Sequence, residues 1–179
     1  MDVQIRWLIR RDMPEVLAME NECFEETPWS EEDFFSLLRQ INRIGMVAEH
    51  DGQIMGYMIY ELHKSNLNVL NFAVGKANQR QGVGRALVEK LTSKLSQHRH
   101  FLTLALCEQN LRGQLFFKAM GFTAVRVEKG YYEETNQDAY IFNYDVLVGG
   151  SVLEFQNTLI ERNKQYADST AALAKKRAS

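Results

Sequence analysis

The chain has 179 residues, a formal net charge of −2 and a hydrophobic fraction of 45%, which suits one folded domain with ample core material. That charge excludes the strongly basic surface that coats nucleic acid, and no apolar run reaches membrane-spanning length, so neither a nucleic-acid nor a membrane partner is expected. Cys23 and Cys107 have no CxxC spacing and no nearby His partner, which argues against a zinc site or a disulfide framework and for a reducing, cytoplasmic setting. Met1–Arg6 lacks the basic-then-apolar order of a signal peptide, in line with that setting.

In chain order, Val3–Ile9 alternates weakly and fits a first strand. Asp12 with Glu15 three residues on reads as a capping box with Pro14 in the first turn, and Met13, Val16, Leu17, Cys23 and Phe24 share a face of the helix that follows. Thr27–Pro28 ends it. Ser30 and Asp33 cap a second helix whose stripe is Phe34, Leu37, Leu38 and Ile41, with Gly45 as its stop. Met46–Glu49 and Ile54–Leu62 read as strands joined at His50–Gln53, where Asp51–Gly52 is a hairpin signal. A polar loop is expected over His63–Asn68.

Val69–Val74 then reads as a buried strand, followed by Gly75–Asn78 and by Gln79, Arg80, Gln81, Gly82, Val83, Gly84 and Arg85. Leu87, Val88, Leu91 and Leu95 set a helical face that runs on to about His98–His100. The unit is strand, glycine-rich loop, helix, and its physics is anion binding. Orphan N–H groups and the helix dipole favour negative charge at the helix start. Gly82 and Gly84 leave the backbone bare for a phosphate, so a side chain at either is expected to block it without unfolding the domain. Arg80 and Arg85 add positive charge. The pattern is not a P-loop, because Arg85–Ala86 follow Gly84. Nor is it a dinucleotide fingerprint, because the third small residue is replaced by Leu87.

Phe101–Leu106 is a further strand, Asn110 caps a helix carrying Leu111, Leu115, Phe116 and Ala119, and Gly121 ends it. Phe122–Glu128 and Ala139–Val148 are strands separated by a long polar link containing Tyr131 and Tyr132. Gly149–Gly150 marks a boundary, giving a domain over 1–148 and a linker with a helical, end-frayed tail over 149–179. The order implies an α/β fold: a mixed, mostly antiparallel sheet with covering helices and one right-handed parallel strand–helix–strand crossover. Its site lies beyond the strand ends near Val74, Gly82–Gly84 and Cys107–Asn110.

Several stretches resemble the GNAT acetyltransferases, and within them the RimI-like, ribosomal-protein alanine N-acetyltransferase branch. Phe24–Ser30 with its Pro28–Trp29–Ser30 is similar to the substrate-side loop. Asn71–Val74 is similar to the strand that pairs with the pantetheine arm, and Gln79–Leu87 to the pyrophosphate loop. Asn110, Met120–Gly121–Phe122 and Tyr131–Tyr132 fall where that branch has an asparagine, a helix end and a tyrosine pair. The likeness runs from about Val3 to Val148. It implies the GNAT fold with helices on both faces, acetyl-CoA as acyl donor, and a cofactor site made by Phe72, Ala73, Val74, Gln79–Arg85, Asn110 and Phe117. It also implies an amine acceptor, foremost a ribosomal or other protein N-terminus.

The same resemblance places a glutamate base five residues before the asparagine and a tyrosine acid seven after it. Those positions hold Ala105 and Phe117, which can neither take nor give a proton. Tyr131 and Tyr132 are the foremost substitutes, followed by Glu22, Glu25, Glu26, Glu108, His50 and His63. Three readings stand: an N-terminal acetyltransferase, a GNAT enzyme for a small-molecule amine, and a non-catalytic acyl-CoA-binding module.

Overall fold

The computed structural model describes residues 3–147; the expected boundary at Gly149–Gly150 and the tail beyond it lie outside them. Seven strands form one sheet in the order β1-β2-β3-β4-β5-β7-β6: β1 (Gln4–Trp7), β2 (Arg43–His50), β3 (Gln53–Leu62), β4 (Asn66–Val74), β5 (Phe101–Cys107), β6 (Thr123–Tyr132) and β7 (Gln137–Asp145). Only β4 and β5 are parallel, and α3 (Val83–Thr92) is the crossover between them. All other neighbours are antiparallel. This is the mixed, mostly antiparallel sheet expected.

The two faces carry separate cores. Helices α1 (Met13–Cys23) and α2 (Glu31–Leu38) cover one, with Met13, Val16, Phe34, Tyr57, Ile59 and Ala73 buried between layers. The other face holds α3 and α4 (Leu111–Ala119) over Met58, Tyr60, Leu67, Val69, Leu102 and Leu104. Val83, Leu87, Val88 and Leu91 fix α3 to that layer, each worth roughly 1.5–3 kcal/mol of burial.

Local chemistry explains most boundaries. Ser30 and Asp33 form the expected capping box of α2, Asp33 N–H donating to Ser30 Oγ at 3.2 Å and Ser30 N–H to Asp33 Oδ2 at 2.8 Å. Asp51 (φ 49°) and Gly52 (φ 78°) are both left-handed, the pair of conformations a two-residue hairpin turn requires.

Other expectations are corrected. The Asp12–Glu15 capping box does not form. Asp12 instead accepts from Ile9 N–H at 2.9 Å and from both ends of the Arg6 guanidinium, at 2.6 and 2.9 Å, while Glu15 accepts from Ile54 N–H at 3.0 Å. Helix α2 stops at Leu38, so Ile41 is outside it and fully exposed. Gly45 is no helix stop; it lies in β2, where a Cβ would meet Leu8 Cβ at 2.8 Å.

The supposed loop at His63–Asn68 yields to β4, because Asn66-Leu67-Asn68-Val69 alternates and pairs with Phe101–Leu104. Helix α3 ends at Thr92, not near His98. The Thr92 and Ser93 hydroxyls donate to the carbonyls of Glu89 and Lys90 at 3.0 and 2.8 Å, and the turn tightens. The long polar link shrinks to residues 133–136, closed by left-handed Asn136 (φ 52°), and Tyr131 and Tyr132 belong to the end of β6.

Candidate active site

Strands β4 and β5 run together and then part. Their register pairs Asn66–Val69 with Phe101–Leu104 and goes no further, so from Asn71 to Val74 strand β4 has register partners on β3 alone. At the same place β4 bulges: Tyr60 faces Val69 and Ile59 faces Asn71, with Leu70 as the extra residue. The bulge resets the two-residue alternation. Asn71 and Ala73 therefore turn to the α1–α2 face, and Phe72 and Val74 to the α3–α4 face. On the β5 side, Phe72–Val74 therefore have no strand partner.

The loop leading into α3 sits just past this opening. It carries two left-handed residues, Arg80 (φ 64°) and Gly82 (φ 89°); holding a non-glycine there stores backbone strain of the kind that clusters at ligand sites. Gln79 and Gln81 pin the loop, Gln79 Nε2 donating to Val74 O at 3.1 Å and Gln81 Nε2 to Ala77 O at 2.8 Å. A Cβ at Gly82 would enter open space. Gly84 differs from expectation: its bare face turns inward, where a Cβ would stand 3.1 Å from Phe116 Cζ and 3.3 Å from Phe72 Cζ. Its smallness serves packing against the rings. Val83 is buried in the core, while Arg85 is exposed and reaches Glu89 at 3.5 Å.

The rings under Gly84 form a chain. Phe72 stacks on Phe116 at 5.7 Å and 15°, and Phe117 meets Phe72, Phe116 and Phe122 edge-on at 5.4, 5.0 and 5.2 Å. Phe117 is 2% exposed, so the position that would carry an acid is sealed in an aromatic cluster. The Asn110 side chain caps α4, Oδ1 accepting from Gly113 N–H at 2.9 Å.

On β5, Leu102 and Leu104 belong to the α3–α4 core, so Thr103, Ala105 and Cys107 turn to the opposite, α1-side face. Tyr132 arrives there from β6. Burial, then Tyr131 and Cys107, push its phenol up to about 12. Cys107 Sγ donates to Gln137 Oε1 at 2.9 Å. Tyr131 packs edge-on against Tyr132 at 5.1 Å but is half-exposed, its phenol raised by burial and by Glu128. The structure thus separates the two tyrosines: Tyr132 stands at the end of β5 and Tyr131 outside it.

The remaining candidates are placed less favourably. His63 follows β3 at the end away from the opening and bonds Glu61 at 2.8 Å. His50 lies at the β2–β3 hairpin beside Asp51. Glu22 accepts from Lys76 N–H at 3.2 Å, Glu25 pairs with Lys76 at 2.9 Å, and Glu26 is exposed. Glu108 accepts from Asp138 N–H at 3.2 Å. Among the described residues, no three His, Cys, Asp or Glu side chains converge on a common point.

Sequence reasoning missed a buried polar group on the α1 side. Glu20 accepts from Trp29 N–H at 2.8 Å, from Asn71 Nδ2 at 3.2 Å and from the Tyr57 hydroxyl. Its signal was legible: Glu20 stands four residues after Val16, on the apolar face of α1.

The family described as "Acetyltransferase (GNAT) domain" matches residues 42–124. A 5-NmdU N-acetyltransferase of Pseudomonas phage PaMx11 is 30% identical over 125 residues, 68% of this chain and 87% of that protein. The chain belongs to the GNAT acetyltransferases. This GNAT chain is also 28% identical, over 134 residues, to the [ribosomal protein bS18]-alanine N-acetyltransferase of Escherichia coli (strain K12), covering 73% of itself and 88% of that protein. Its fold overlays the crystal structure of the ribosomal-protein-S18-alanine N-acetyltransferase from Escherichia coli with a TM-score of 0.72 and 25% identity, covering 84% of this chain and 98% of the other. As an N-acetyltransferase of this family, it is an enzyme of acetyl transfer to nitrogen.

Proposed function

We propose that this protein transfers the acetyl group of acetyl-CoA to the α-amine of a protein N-terminus. The observation that carries the reading is the parting of β4 and β5 directly beside a strained loop at the start of α3. The open backbone at Phe72–Val74 offers an edge for an extended, amide-bearing arm. The N–H groups from Gln79 to Arg85 offer an anion cradle with Arg80 and Arg85 nearby. Asn110 acts through the cap it gives α4, and Phe117 through the apolar wall it adds to the ring cluster. Pro28–Trp29–Ser30, tied to the buried Glu20, forms the lip on the amine side. The relatives named for alanine N-acetylation of a ribosomal protein favour a protein N-terminus as acceptor.

With Ala105 and Phe117 in place of the acid–base pair, proton handling is divided differently. The acceptor arrives as free amine; its nitrogen attacks the thioester carbonyl, the C–N bond forms and the C–S bond breaks. The phenol of Tyr132, held up to about 12, stays protonated at neutral pH and can donate a hydrogen bond to the leaving thiolate, which takes its proton from solvent. It cannot serve as base at that pH, so deprotonation of the amine falls to solvent. The experiment is thiol release from acetyl-CoA with three acceptor sets: alanine-led peptides, small primary amines and aminomethylated nucleosides. Release with the peptides supports the reading. Release with the other sets alone selects the small-molecule alternative, and saturable acetyl-CoA binding without release selects a binding module.

A further inference from the structure

Glu20 is 1% exposed, yet its partners are all neutral donors: Trp29 N–H at 2.8 Å, Asn71 Nδ2 at 3.2 Å and the Tyr57 hydroxyl. Each comes from a different part of the fold. Trp29 lies in the segment between α1 and α2, Tyr57 on β3, and Asn71 at the β4 bulge that turns its side chain to this face. Tyr57 also donates towards Asn71 Oδ1 at 3.3 Å. Burial, then the Glu20 carboxylate, hold the Tyr57 phenol far above its ordinary value, so it remains a donor. Trp29 closes the arrangement by packing its ring edge-on against Phe34 at 5.4 Å, which in turn meets Tyr57 at 5.8 Å. A packed core would be served as well by an apolar side chain of Glu20's size. A carboxylate is needed only if the backbone N–H of Trp29 and the amide of Asn71 must be held by the same group.

We propose that Glu20 is a positioning residue that locks the Thr27–Ser30 lip to the bulged part of β4, setting the amine-side wall at a fixed place relative to the acyl-donor strand. The assignment rests on the acetyl-transfer reading above. Glu20 is too buried to meet an acceptor itself; it acts through Trp29 and Asn71.

The test uses the full chain with Trp7, half-exposed on β1, changed to Phe, which leaves Trp29 as the sole indole of the two in the sequence. Glu20→Leu removes the shared acceptor at similar size. Glu20→Gln keeps a carbonyl for Trp29 N–H and regains the Asn71 bond if that amide turns over. We expect Glu20→Leu to raise acrylamide quenching of Trp29 and to raise KM for an alanine-led peptide about tenfold, since small displacements of a binding wall are costly. Affinity for acetyl-CoA by calorimetry and kcat should stay within about threefold of the parent, and Glu20→Gln should restore KM and quenching most of the way. Parent-like quenching and KM in Glu20→Leu overturn the proposal. So does an equal loss of acetyl-CoA affinity and peptide KM with no rescue by Gln, the mark of a core role alone. If Glu20→Leu does not fold, Tyr57→Phe, which deletes one donor without changing shape, should move quenching and KM in the same direction, and no movement overturns it. Should no peptide be acetylated by the parent, the acetyl-transfer reading fails, and the quenching comparison still decides whether Glu20 holds the lip.

Discussion

Replacing Gly84 by Val separates a packing role from a binding role. The added Cβ would lie 3.1 Å from Phe116 Cζ and 3.3 Å from Phe72 Cζ, and the branch methyls reach further. Neither ring can yield alone, because the two are stacked at 5.7 Å and Phe116 also abuts Phe117. Over-packing of this kind costs roughly 1–3 kcal/mol. The helix gains back only a few tenths of a kcal/mol from replacing glycine in its first turn, so packing decides the sign. A net loss of about 2 kcal/mol lowers the melting temperature of a domain this size by roughly 4–8 °C. Gly82→Ala makes no such contact; at φ 89° it carries only the left-handed backbone cost of about 1–2 kcal/mol. Thermal and urea unfolding of both variants, alone and with Phe116→Leu, check the argument. Making room at Phe116 should recover at least about 1 kcal/mol of the Gly84→Val loss and none of the Gly82→Ala loss. An unshifted melting temperature for Gly84→Val, or a loss independent of Phe116, would refute the packing account and return Gly84 to the anion loop.

Tyr132→Phe is expected to lower kcat about tenfold or more with acetyl-CoA affinity unchanged, and Tyr131→Phe to stay within about twofold; steady-state kinetics check both, and equal effects would remove Tyr132 as hydrogen-bond donor to the thiolate. Asp12→Asn should cost about 2 kcal/mol at pH 7, because it breaks the pair with Arg6, itself partly exposed. Burial pushes the Asp12 carboxyl up, but Arg6 and the Ile9 N–H outweigh it and hold it below the usual range. Its stabilisation is therefore present above the unfolded carboxyl value and lost as pH falls through the lower folded one. Urea unfolding should show the gap between Asp12→Asn and the parent closing below about pH 4. Ala105→Glu with Phe117→Tyr is expected to raise kcat on an alanine-led peptide about tenfold. It should also lower stability, since the new hydroxyl enters the buried ring cluster around Phe117; kinetics and melting curves read the two effects separately.

Much of the fold around this site was legible in the residues. The β4–loop–α3 unit followed from an apolar β-branched run, two glycines and a 3.6-residue stripe, and the Asp51–Gly52 turn from its dipeptide. The misses have physical causes. Asp12 looked like a cap because an acid before a helix usually is one; Arg6, six residues away, competed for it across the chain reversal. Ile41 continued the helical stripe in phase, but phase does not measure where hydrogen bonds stop. The role of Gly84 depended on Phe72 and Phe116, which meet only after β4 and α4 are packed. The β4 bulge has no single-residue signature, and without it Asn71 would be assigned to the wrong face and the Glu20 cluster would go unseen.

Acetyl transfer to a protein α-amine, without the glutamate–tyrosine pair, leaves a product that can be read directly. The measurement that bears on it most directly is tandem mass spectrometry of an alanine-led peptide, containing one internal lysine, after incubation with acetyl-CoA across pH 6–9. One acetyl group is expected, on the N-terminal nitrogen, formed at a rate that rises with pH until the α-amine is free, near its ordinary value of about 8. An acetyl group on the lysine alone, or an unmodified peptide under conditions where acetyl-CoA binds, would contradict it.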